Sequence, residues 1–81
     1  MGYKPRDWLL ALARLDLIGR FSQRDREAVA DILVWELEQT PDRPFTIQQA
    51  RDMMALGTIT PAMLRVFEAV HNLLRQEDAD D

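Results

Sequence analysis

His71 is the one histidine of the chain, and there is no cysteine. Thiolate metal sites, disulfides and thiol nucleophiles are therefore all missing at once. A histidine acting as general base needs an oriented nucleophile within hydrogen-bond reach. Ser22, Thr46, Thr58 and Thr60 each stand where a helix cap or turn calls for a hydroxyl, and no G-x-S-x-G elbow surrounds the lone serine. His71 follows Phe67 by one turn and precedes Leu74, on the border of an apolar stripe, which reads as a packing position. Glu27, Asp31, Glu36 and Glu38 offer carboxylate pairs, but they lie along a helix with no apolar cleft to split their pKa values. The acids form neither an EF-hand loop nor an HExxH helix, and Gly2, Gly19 and Gly57 are too scattered to cradle a phosphate. The chain is expected to be no enzyme, with no catalytic residue, cofactor or metal.

What remains is a set of elements and their faces. Pro5 suits the first turn of a helix, with Asp7 at the positive end of its dipole. Trp8, Ala11, Leu12, Leu15 and Ile18 recur at helical spacing, and Leu9, Leu10, Ala13 and Leu17 widen the stripe, predicting a nearly all-apolar helix from Pro5 to about Ile18. Gly19 stops it. Ser22 caps a second helix, predicted from Gln23 to about Gln39, with Ala28, Val29, Ile32, Leu33 and Leu37 inward and Val34 and Trp35 widening one side. Its outer face carries Arg24, Glu27, Asp31 and Glu38. Glu36 and Glu38 oppose the dipole at its C-terminus, a conflict that a basic neighbour or partner would relieve.

The run Thr40 to Pro44, with two prolines, breaks the helical pattern. Thr46 and Gln49 have the spacing of a capping box, with Phe45 and Ala50 in staple positions, and predict a short helix from Ile47 to Leu56 ended by Gly57. Thr60 and Pro61 open a fourth helix, predicted to run to about Arg75, with Arg65, Glu68, Asn72 and Arg75 outside. The acidic residues 77–81 read as a disordered tail following a single domain of residues 1–76. The expected fold class is all-α, a compact four-helix domain.

Thr46 to Arg75 makes a short helix, a turn containing Gly57 and Ile59, and a longer helix. That segment resembles a helix-turn-helix of the kind found in DNA-binding regulators. The resemblance implies that Ile59 packs between the two helices and that Arg51, Thr60, Arg65, Asn72 and Arg75 are the DNA-contact candidates.

Charge argues for a different partner. Ten Lys/Arg stand against fourteen Asp/Glu, a net charge of −4, and four of the acids lie in the last five residues. Residues 27–42 hold five acids and no base. A chain with so few bases neutralises few phosphates. The preferred expectation is a small protein-binding domain, an adaptor, inhibitor or regulatory subunit, acting through an apolar helical surface on another protein or a second copy of itself. Its interface candidates are Trp8 and Leu12 on the first helix, Trp35, and charged rims of Arg20, Arg24 and Arg26 on one side and Glu36 and Glu38 on the other. The helix-turn-helix DNA-binding transcriptional regulator is the alternative. No apolar run approaches the roughly 20 residues a bilayer crossing needs, and the charged N-terminus lacks the form of a secretory signal. A cytoplasmic location without membrane contact is expected.

Overall fold

A computed structural model describes residues 2–16 and 19–79, apart from the side chains of Asp16 and Ala79. It contains α1 (Pro5–Asp16), α2 (Gln23–Gln39), α3 (Ile47–Ala55) and α4 (Pro61–Ala79), an all-α domain of four helices. The expected continuation of α1 through Leu17 and Ile18 lies outside the described residues.

Local chemistry explains the boundaries. Pro5 is buried at the first position of α1, and the Lys4 carbonyl accepts the Asp7 and Trp8 amides at 2.9 and 3.2 Å. Ser22 caps α2 by accepting the Asp25 amide at 3.2 Å. At α3 the capping box is complete: Thr46 Oγ1 accepts the Gln49 amide at 3.1 Å, and the Thr46 amide donates to Gln49 Oε1 at 2.9 Å. Gly57 stands at a φ of 79°, and the Gly57 and Thr58 amides donate back to Met54 and Met53 at 3.0 and 2.8 Å. Those paired bonds are a Schellman stop, which requires a left-handed residue at that position. Leu56, the last residue of the expected helix, is 82% exposed, because it occupies the C-cap where the chain leaves the helix. Thr60 then caps α4, its Oγ1 accepting the Met63 amide at 3.1 Å.

Helix α4 is the central rod. It packs against α1, α2 and α3, whereas among the described residues α3 packs against α4 and no other helix. The core is one cluster: Trp8, Ala11, Leu12 and Leu15 from α1, Val29 and Leu33 from α2, Ala50 from α3, Phe45 and Ile59 from the connections, and Leu64, Val66, Phe67, Val70 and Leu74 from α4. Ile59, in the connection between α3 and α4, is buried.

Trp8 occupies the centre of this cluster. Its indole N–H donates to the carbonyls of Tyr3 and Phe45 at 3.0 and 2.9 Å. Those two residues are themselves joined as an antiparallel bridge, Phe45 N–H to Tyr3 O at 2.8 Å and Tyr3 N–H to Phe45 O at 3.3 Å. The ring meets Phe45 edge-on at 5.3 Å and Phe67 at 6.0 Å, and stacks on His71 at 5.9 Å. Gly2 is needed beside this bridge, since a Cβ there would lie 2.9 Å from both Pro44 Cβ and Thr46 Cγ2.

Residues 77–79 correct the expectation of a disordered tail. Helix α4 runs on to Ala79, and its last turn is held from outside. Arg14 grips Glu77 bidentately, Nε to Oε1 at 2.9 Å and Nη2 to Oε2 at 2.8 Å, and the Tyr3 hydroxyl donates to Asp78 Oδ2 at 2.8 Å. Asp80 and Asp81 lie outside the described residues.

Trp8→Ala is expected to cost about 3–5 kcal/mol of unfolding free energy in denaturant titration, since it removes a fully buried ring and the donor shared by two carbonyls. Tyr3→Phe, which deletes only the exposed bond to Asp78, is expected to stay within about 1 kcal/mol of the parent.

Candidate protein-binding surface

Burial divides the interface candidates. Trp8 is fully enclosed and Leu12 is 3% exposed, so neither presents an apolar face to a partner. This corrects the expectation that α1 carries surplus apolar surface. Its broad stripe is taken up by α2 and α4 on different sides, and Leu10, 53% exposed, is its one large apolar side chain left open among the described residues.

Trp35 behaves differently. It is 59% exposed, with Val34 beside it at 41%. Val29 and Leu33 turn into the core, which places Trp35 on the far side of α2 with Asp31 four residues before it and Glu38 three after, both exposed. Neither carboxylate forms an ion pair among the described residues. The last turn of α2 contains no base. A large aromatic body in water, flanked by unpaired acids at the negative end of a helix dipole, is an arrangement that a cationic or mixed apolar and basic surface would satisfy.

The expected charged rims do not assemble around Trp35. Glu36 turns back to the end of its own helix, where its carboxylate accepts the Thr40 hydroxyl at 3.2 Å. Arg26 is half-buried, its Nε donating to the Ser22 carbonyl at 3.3 Å, and lines the seam with Leu12 on the α1 side. Arg24 borders a depression against Thr60, Ala62 and Met63 at the start of α4. Arg20 holds its guanidinium 5.7 Å over the Phe21 ring. Of the protein-interface set, Trp35 and Glu38 share the open face of α2. Val34, Leu10 and Leu56 are exposed apolar groups beyond that set.

The DNA-contact candidates separate similarly. The Thr60 hydroxyl is committed to its cap, and Arg51 approaches Glu68 at 3.9 Å. Arg65, Asn72 and Arg75 are exposed along one side of α4. Arg65 and Asn72 line a single groove with Arg20, a pairing of candidates from opposite readings that sequence spacing did not foreshadow.

His71 lies between Trp8 and Tyr3, the latter edge-on at 6.1 Å. Burial, followed by the positive charge of Arg75, lowers its pKa below the ordinary 6.5. Among the described residues no group of three or more His, Asp or Glu could hold a metal ion, and no helix is long and apolar enough to cross a membrane.

A histidine held neutral by the fold binds fewer protons than its unfolded counterpart. Its contribution to stability is therefore present above about pH 6.5 and is lost as pH falls toward the lowered folded value. The His71→Phe variant, which keeps a ring against Trp8, is expected to show a flatter melting temperature than the parent as pH falls from 6.5 toward 5, measured by calorimetry. No family model, curated protein or solved structure matches the chain.

Proposed function

We propose that the chain is a small protein-binding domain, an adaptor, inhibitor or regulatory subunit, and that its contact surface is the outer face of α2 around Trp35. The observation that supports this reading is the 59% exposure of Trp35 in a molecule whose other tryptophan is completely enclosed. Leaving an indole in water gives up much of the free energy its burial would supply, about 25 cal/mol per Å² of apolar area. Tryptophan is also the side chain most enriched among residues that dominate binding energy. Asp31 and Glu38 on either side favour a partner with basic groups around an apolar seat. The mechanism is occupation, in which a preorganised helix face covers a site on another protein without bond-making.

Baits carrying the parent sequence and Trp35→Ala separate this proposal from a generic sticky surface. A specific protein retained by the parent and lost by at least tenfold with the variant, both having the same thermal melt, is the expected outcome. Equal retention by the two baits would remove Trp35 from the interface and refute the proposal.

A second reading has one observation in its favour. Arg65, Asn72 and Arg75 share an exposed side of the helix that a helix-turn-helix would lay in the major groove. Under that reading, duplex DNA is retarded at low salt and Arg65→Ala weakens retention. An unaltered duplex mobility at low salt would dismiss it.

A further inference from the structure

The groove shared by Arg20 and Arg65 has the size and chemistry of a tryptophan seat. It is an open depression of about 530 Å³ with Leu15, Arg20 and Phe21 on one side and α4 on the other. Phe21, Ala69 and Leu73 supply its apolar wall, and Arg20, Arg65 and Asn72 its polar rim. The Arg20 guanidinium carbon lies 5.7 Å from the centroid of the Phe21 ring, so a cation stands beside the aromatic wall of the groove. Arg65 forms no ion pair among the described residues. Glu68, the one acid among the described residues that line the groove, is approached by Arg51 at 3.9 Å.

The complementary shape is present on the same molecule. Helix α2 displays Trp35 between Asp31 and Glu38 on a segment, residues 27–42, that contains five acids and no base. A bulky aromatic flanked along its helix by two carboxylates matches an apolar groove whose rim holds two guanidinium groups. We propose that a second copy of this chain seats its Trp35 in the groove between Phe21 and α4, with its Asp31 and Glu38 meeting Arg65 and Arg20. The proposal rests on the reading of α2 as the binding face and names the partner for it. Two different surfaces meet in such a contact, so it is heterologous and builds a ring or an open chain of copies. Pairing of exposed charges makes its formation dependent on ionic strength.

The two tryptophans provide the readout. Trp8 is fully enclosed, so acrylamide quenching of the free chain reports Trp35. At low salt, raising the protein concentration is expected to increase the sedimentation coefficient and to reduce the quenchable fluorescence toward the level of Trp35→Ala. About 1 M salt, where the Debye length is about 3 Å, reverses both effects. Trp35→Ala and Arg65→Glu each abolish the concentration dependence, and Asp31→Arg combined with Arg65→Glu restores it by exchanging the charges of the pair. Circular dichroism melts confirm that each variant, altered at an exposed position, remains folded.

A chain that sediments as a monomer at every concentration, with Trp35 equally quenchable throughout, overturns the inference. So does association that survives Arg65→Glu, or retention of a duplex oligonucleotide through Arg65 by a chain that stays monomeric. Trp35-dependent capture of a different protein by a monomeric chain also overturns the second-copy assignment, while leaving the protein-binding reading of α2 in place.

Discussion

The indole N–H of Trp8 is one donor shared by two carbonyls, those of Tyr3 and Phe45, which lie 42 residues apart in sequence. Through that bifurcated bond a side chain of α1 fixes the bridge between the N-terminal arm and the connection preceding α3. Phe45 is thereby placed against Phe67 at 5.6 Å, and α3 begins at the next residue but one. Net hydrogen-bond contributions are modest, but the bond to the Phe45 carbonyl is buried, where a lost donor is costly. The arm, the central helix and the entry to α3 depend on this one ring more than on any surface ion pair.

A core organised around Trp8 also decides what remains for the surface. In so short a chain, surplus apolar area seemed to belong to the first helix, whose stripe runs around most of its circumference. Wedged against both α2 and α4, that helix consumes its own surplus. The apolar area left open moves to α2, where Val29 and Leu33 satisfy the core from one side and Trp35 stays 59% exposed on the other. Asp31 and Glu38 flank Trp35 on the outside of α2, whereas Arg20 and Arg65 border the groove beside α4 together with Glu68.

Helix boundaries were legible wherever a local signal sets them. The bounds of α2, the capping box at Thr46, the stop at Gly57 and the start at Pro61 follow from side chains within four residues of the backbone groups they satisfy. The end of α4 was not legible because its determinants are remote. Arg14 reaches Glu77 across 63 residues and Tyr3 reaches Asp78 across 75. The surface was half legible for a related reason. Periodicity identifies which residues share a stripe, but not how many neighbours will cover it. Trp8 and Trp35, both apolar in helical patterns, therefore looked equivalent in sequence and have opposite fates.

Helix α3 has a neighbour on one side only, and its single fully enclosed side chain within the helix is Ala50. A helix held through α4 alone, with Ile47, Met53 and Met54 only partly covered against the core, is expected to open locally at a lower free energy than α4. Its amide protons would then exchange with solvent deuterium well before those in the middle of α4. Proteases would find the chain first between the Pro44 turn and Gly57, leaving α1, α2 and the outer edge of α4 as the part of the fold that persists longest.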